Sequence, residues 1–121
     1  MAIAVVLAIA TFDMHTTEAP TVTTAAAPTG EVLFLTKGCS GCHTISGVSS
    51  IGVQGPDLTH LAAIAPERVT GLTAEEYVRQ SLRQPQAFVV PEFRGTFVDM
   101  PTLSLSEQEI ESLITLLLAE R

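Results

Sequence analysis

Cys39-Ser40-Gly41-Cys42-His43 is the string on which the fold turns. It sets two thiols three residues apart and places an imidazole directly after the second. C-x-x-C-H is the spacing at which a chain takes up a c-type haem: each thiol adds to one vinyl group of the porphyrin, and the adjacent histidine is held beneath the iron as its proximal ligand. Other readings compete with it. A dithiol redox pair normally opens a helix after a strand in a βαβ setting, and no strand pattern precedes Cys39. A zinc site needs four ligands, and Cys42 and His43 are too close to serve one ion, which leaves only His60 and His15 to complete it. The remaining reading is a chance match. Cys39 and Cys42 are the only cysteines, and they are too near one another to staple a fold by closing a long loop.

Outward from this string the sequence predicts four helical segments, and strand signals are weak. Residues 30–37, GEVLFLTK, form a short helix after Thr29 with Val32, Leu33 and Phe34 available to bury, and Gly38 stops it. A turn of helix is expected around 58–64. Thr73-Ala74-Glu75-Glu76 fits a capping box, with Tyr77, Val78, Ser81 and Leu82 on one side of the helix it opens and Pro85 beyond its end. Ser106-Glu107-Gln108-Glu109 is a second capping box. Ile110, Leu113, Ile114, Leu117 and Leu118 follow at i, i+3, i+4, i+7 and i+8, an amphipathic stripe. The Gly/Ser/Pro-rich connections 44–57 and 85–105 are long for so small a unit, so they are either disordered or wrapped around something that is not protein.

The folded unit is read as residues 29–121, inside a chain of 121 residues that has room for one domain. Aromatics make up 5% of the chain against 46% apolar residues overall, and there is no Trp. Ring systems of the chain's own therefore contribute little to a core. Before the unit, residues 1–12, MAIAVVLAIATF, read as a hydrophobic anchor or signal remnant, and residues 13–28 as a Thr/Ala/Pro-rich tether. Twelve helical residues reach about 18 Å and fall short of the roughly 30 Å hydrocarbon layer, so this stretch does not span alone. The formal charge of −7 excludes a nucleic-acid binder that relies on a basic face. Residues 29–121 carry six basic and eleven acidic groups, a net charge of about −5.

With these residues in view, nearly all of 29–121 resembles the class I cytochrome c family. Gly30 followed by Phe34 is similar to the family's first helix. Gly55-Pro56-Asp57-Leu58 is similar to the segment after the haem site. Residues 77–85, YVRQSLRQP, look like the third helix of bacterial members found in respiratory complexes, and Met100-Pro101 matches the axial methionine with its following proline. The sequence departs from the pattern at Glu92-Phe93, where a glycine before the aromatic is usual. The resemblance implies an all-α class I cytochrome c fold, three to four helices wrapped around one covalently bound haem c.

The resemblance further implies that Cys39 and Cys42 hold the cofactor, that His43 and Met100 ligate iron, and that the Pro56 carbonyl accepts from His43 Nδ1. Met100 is the only methionine of the folded unit, and the 57 residues separating it from His43 let the chain circle the porphyrin. His60 is the rival sixth ligand, expected instead at the surface. Two filled axial positions favour one-electron transfer over catalysis. The rival readings are a haem sensor or peroxidase-like enzyme with an open sixth position, and a thiol–disulfide protein without haem.

The implied partner is a membrane electron-transfer complex, whether a quinol-oxidising complex, an oxidase or a photosynthetic reaction centre. The implied location is the periplasmic side of a bacterial inner membrane, with the N-terminal segment as membrane attachment. A single lysine, Lys37, rules out docking through a lysine ring. Arg79, Arg83 and Arg94 are expected as a solvated helix face that also supplies haem-propionate partners.

Overall fold

Thr29 begins the first element: its hydroxyl accepts from the Val32 amide and opens helix α1, Gly30–Thr36. The computed structural model describes residues 25–120, so the 1–12 segment and most of the 13–28 tether lie outside the described residues. Gly38 ends the α1 region with φ of 83°, a left-handed conformation that a side chain resists. A single 3-10 turn, Cys39–Gly41, follows. Helix α2 spans Leu61–Arg68, α3 spans Ala74–Arg83 and α4 spans Glu107–Leu117. Among the described residues there are no strands, and the fold is all-α.

Both capping boxes form as the sequence predicts. Thr73 accepts from the Glu76 amide while the Glu76 carboxylate accepts from the Thr73 amide at 2.8 Å, and Ser106 and Glu109 repeat the pattern at α4. Helix α3 buries Tyr77, Val78 and Leu82, and α4 buries Ile110, Leu113, Ile114 and Leu117. Helix α4 packs against both α1 and α3, and α2 packs on α3.

Four details depart from the sequence reading. Val32 is 48% exposed. Helix α1 is only two turns long, and the side that meets α4 is taken by Leu33 and Phe34, each 1% exposed. Leu116 is buried in α4 although it lies off the 3.6-residue stripe, because α1 crosses there. A Cβ on Gly30 would sit 2.3 Å from the Ser112 carbonyl oxygen and 2.6 Å from Leu116 Cβ, so glycine alone permits the approach. The turn expected at 58–64 is instead a helix that starts at Leu61 and continues through Pro66 to Arg68. Proline there forfeits the bond to the Ala62 carbonyl, and burial of Leu61 and Ala65 offsets the loss.

The fourth departure concerns charge. Arg79 pairs with Glu75 at 3.1 Å and with Glu107 at 3.4 Å, and also with Glu111; Arg83 pairs with Glu107. Arg94 donates through Nε to the Val89 carbonyl at 3.0 Å and lies over the Phe88 ring. Arg79 and Arg83 therefore cross-link α3 to α4, and Arg94 pins its own loop. All three have acceptors within the protein.

Candidate functional site

The 3-10 turn carries the C-x-x-C-H string into the wall of a cavity of about 190 Å³. A single water needs only roughly 10–15 Å³, so this space is no packing defect. All four helices reach it: Phe34 from α1, Leu61 and Ile64 from α2, Tyr77 and Leu82 from α3, Leu117 from α4. Both long connections border it as well. Cys39, Cys42, His43, Pro56 and Met100 all line this one cavity. His60 does not; it is exposed at the start of α2.

The 44–57 connection is held by backbone and hydroxyl bonds. Gly55 N–H donates to the Cys42 carbonyl at 2.8 Å, and Leu58 N–H to the Thr44 carbonyl at 2.8 Å. Ser46 N–H donates to Thr59 Oγ1 at 3.0 Å, and Ile45 is buried. Asp57 Oδ1 accepts from the Thr59 amide at 2.7 Å and closes a local turn; the Thr59 bonds hold its carboxyl below the usual carboxylate range. These bonds deliver the Pro56 carbonyl to within 2.9 Å of His43 Nδ1.

A carbonyl only accepts, so Nδ1 carries the proton. Burial pushes the His43 pKa below the ordinary histidine value, partly opposed by the Pro56 carbonyl. The ring is therefore neutral at pH 7, with its lone pair on Nε2. That is the tautomer a metal-ligating histidine needs, fixed by a hydrogen bond to its other nitrogen.

Two glycines make this packing possible. A Cβ on Gly55 would lie 2.4 Å from His43 Cε1, and one on Gly52 would lie 2.4 Å from the Cys42 backbone. Gly52 was not singled out in the sequence, where nothing local distinguishes it from the other glycines of the connection. The signal would have been a close approach between two segments, which only three dimensions reveal.

Neither cysteine is in a disulfide, and both are half-buried. Burial, with a smaller contribution from Cys42, raises the Cys39 pKa against the lowering effect of a backbone hydrogen bond. Cys42 Sγ also lies 3.4 Å from Gln54 Oε1.

On the other bank, the 85–105 connection is attached to α3 through the edge-to-face contact of Phe88 with Tyr77 at 5.9 Å. It includes a second 3-10 turn, Pro91–Phe93, at the position where the sequence departs from the family pattern. Gln86 Nε2 donates to the Met100 carbonyl at 3.3 Å and braces the segment that presents the thioether.

One polar atom in the cavity wall is orphaned. Arg68 Nε is buried and has no hydrogen-bond partner among the described residues. The lining thus offers two thiols, an imidazole lone pair, a thioether, apolar walls and an uncommitted cation. An iron porphyrin matches that set: it has vinyl groups for thiols, a metal for nitrogen and sulfur, an apolar body and carboxylate substituents.

A comparison with curated proteins finds no match to this chain. The profile of the family described as Cytochrome c matches residues 27–119. That span takes in all four helices, the C-x-x-C-H turn and both cavity-bordering connections, so the chain belongs to the cytochrome c family, whose members carry electrons on a covalently held haem.

Proposed function

We infer that the chain is a monohaem one-electron carrier whose iron is ligated by His43 and Met100, working as a tethered domain or subunit of a membrane respiratory or photosynthetic complex. The observation that carries this reading is the convergence of Cys39, Cys42, His43 and Met100 on one apolar cavity. Haem bound there would supply a one-electron ferric/ferrous couple, with His43 and Met100 as the residues that would hold its iron. The chain's own residues do the rest. Cys39 and Cys42 would hold the macrocycle through thioether bonds. The Pro56 carbonyl keeps the proton on His43 Nδ1 and so holds Nε2 free to coordinate. Gly55 lets the loop lie against the imidazole ring and restrains its orientation. The Met100 thioether is a soft ligand that favours the reduced metal and raises the potential relative to a second histidine.

Charge supports tethering over free diffusion. Lys37 is paired with Glu109 at 3.0 Å and Arg79 and Arg83 are consumed by α4 carboxylates, so an acidic surface remains with little cationic steering of its own. Permanent attachment through the N-terminal segment, on the periplasmic side of a bacterial inner membrane, raises effective concentration without such steering. Electron delivery to the native acceptor is then nearly independent of ionic strength, and a steep fall with added salt would count against the tether.

The deciding experiment is mass and absorption spectroscopy of protein matured by a host able to attach haem c. One haem added to the polypeptide mass is expected, with a low-spin ferric spectrum whose sulfur-to-iron charge-transfer band disappears in Met100→Ala. A high-spin ferric form that binds carbon monoxide rapidly once reduced would replace this reading with a sensor or peroxidase-like enzyme. A colourless product whose mass is that of its amino acids alone would defeat both.

A further inference from the structure

Of the six large apolar side chains exposed among the described residues, four lie on the two connections that border the cavity: Ile51 and Val53 on 44–57, Phe97 and Val98 on 85–105. Single exposed apolar residues are ordinary, whereas several grouped beside a functional site mark a contact surface. Phe97 stands apart from the others. It is fully exposed and does not line the cavity, although Phe88, Val90 and Phe93 of the same connection do.

The loop that carries Phe97 is braced at several points. Phe93 N–H donates to the Val90 carbonyl at 2.9 Å and closes the 3-10 turn Pro91–Phe93. Arg94 Nε donates to the Val89 carbonyl at 3.0 Å. Gly95 takes the left-handed conformation, with φ of 74°, that reverses the chain. Thr96 Oγ1 then lies 3.0 Å from the Phe93 carbonyl and 3.3 Å from the Val98 carbonyl. An aromatic ring has only two side-chain torsions to order, and a pre-formed loop loses little further entropy on binding. This is also the segment where the sequence departs from the family pattern, at Glu92-Phe93, so the outward ring is a feature of this chain's own loop.

Charge narrows what such a surface can meet. No Asp, Glu, Lys or Arg occurs over residues 38–56, and residues 95–98 are uncharged as well. Arg94 is turned onto the Phe88 ring, while Glu92 and Asp99, which flank the loop, are exposed. Those two carboxylates repel an anionic lipid surface, and the loop's one cation is engaged within the protein. A protein surface that is itself apolar and uncharged covers the patch without stripping water from a charge.

We propose that Phe97 anchors a docking surface for an electron-transfer partner protein, its ring seated in an apolar, uncharged pocket of that partner with Val98, Ile51 and Val53 as the surrounding contact. This rests on the carrier reading above and adds to it where, and through what chemistry, the partner is met. Val98 and Asp99 line the cavity and Phe97 stands three residues before Met100, so a partner seated on the ring is brought beside the redox centre. The tether supplies proximity, and Phe97 supplies orientation.

The test places the full haem-loaded chain in its native membranes as wild type, Phe97→Ser or Phe97→Leu. Because the ring is exposed, neither substitution is expected to change the melting temperature or the ferric spectrum. Phe97→Ser is expected to slow turnover of the haem by the membranes' own electron-transfer chain about ten-fold, and Phe97→Leu to recover most of the wild-type rate. Reduction by ascorbate, which needs no docking, proceeds alike in all three. Turnover in Phe97→Ser equal to that of the wild type overturns the proposal. So does equal slowing with ascorbate, which would place the effect at the haem and not at a contact surface. If Phe97→Ser instead loosens attachment to phosphatidylcholine vesicles, the ring serves a lipid surface; if the wild type sediments as a dimer that Phe97→Ser separates, it serves a second copy of the chain. Either result also overturns the proposal. Absence of haem from the wild-type chain is a separate outcome, which defeats the carrier reading itself.

Discussion

Gly55→Ala tests the idea that the loop after the C-x-x-C-H turn holds the His43 ring by contact. An added Cβ would lie 2.4 Å from Cε1, 2.8 Å from Nδ1 and 3.0 Å from Nε2 of that ring, where ordinary contacts begin near 3.4 Å. The imidazole must withdraw by about 1 Å, or the loop must lift. Either movement breaks the 2.9 Å bond between Nδ1 and the Pro56 carbonyl. Gly55 is not among the glycines with positive φ, so alanine meets no backbone strain and the effect reports the ring contact. Overpacking costs about 1–3 kcal/mol and loss of the hydrogen bond about 0.5–1.5 kcal/mol. The narrower freedom of the unfolded chain returns about 0.4–1 kcal/mol. The net loss is about 0.5–4 kcal/mol, which for a domain of this size lowers the melting temperature by roughly 2–32 °C. The assay is a thermal melt of the haem-loaded protein followed by circular dichroism, with the ferric spectrum recorded on the same sample. Gly41→Ala is the matched control, since nothing lies within 4 Å of the position a Cβ would take there. If Gly55→Ala melts with the wild type and its spectrum is unchanged, the ring is not held by this contact and the argument fails.

Gly30→Ala should destabilise by about 1–3 kcal/mol despite alanine's better helix propensity, because the new methyl meets the Ser112 carbonyl oxygen; denaturant unfolding with an unshifted midpoint would refute the close crossing of α1 and α4. Stability should also fall on acidification. Glu76 and Glu109 are held below the usual 4.5 chiefly by the Thr73 and Ser106 backbone amides, so their stabilisation is complete above that value and is lost as pH drops through their folded-state values. Melts between about pH 6 and pH 3 should show this decline, and Glu76→Gln with Glu109→Gln should flatten it, since glutamine retains the cap without titrating; an unchanged slope in the double variant would assign the acid lability elsewhere. Cys39→Ser with Cys42→Ser should yield a chain without a cooperative melt, and a sharp transition in that protein would show that the polypeptide folds without its covalent cofactor.

What was legible in the sequence was local. Thr73, Glu76, Ser106 and Glu109 announce two helices because a capping box is written within four residues. The stripe from Ile110 to Leu117 fixes the buried side of α4 by period alone. The features that escaped depend on segments far apart in the chain. Leu116 is buried only because Gly30 lets α1 descend onto it, and Val32 is exposed because Leu33 and Phe34 take the same contact. Helix α2 runs through Pro66, where a local rule anticipates only a shorter turn. The pairing of the arginines escaped for a related reason: Arg79 looks like a solvated helix residue until Glu107 and Glu111 of α4 are brought beside it. At the site, the string at 39–43 and Met100 stand out as sequence, whereas Gly52, Gln86 and Arg68 acquire meaning only through what they approach.

Two features of this fold are unfavourable when the polypeptide is considered by itself. The cavity leaves Phe34, Leu61, Tyr77, Leu82 and Leu117, drawn from all four helices, without dense packing on one side, and interiors lose stability in proportion to such space. Arg68 Nε is a buried donor with nothing to bond, which adds a desolvation penalty. A purely hydrocarbon occupant would relieve the first and aggravate the second, and a water cluster would do the reverse. An occupant with a flat apolar body and a carboxylate edge relieves both at once. All four helices line the cavity, so the binding free energy of such an occupant would be shared by the whole domain and appear as folding stability. The scarcity of aromatic side chains in the sequence then has a physical cause, because the largest ring system in the core is not encoded as an amino acid.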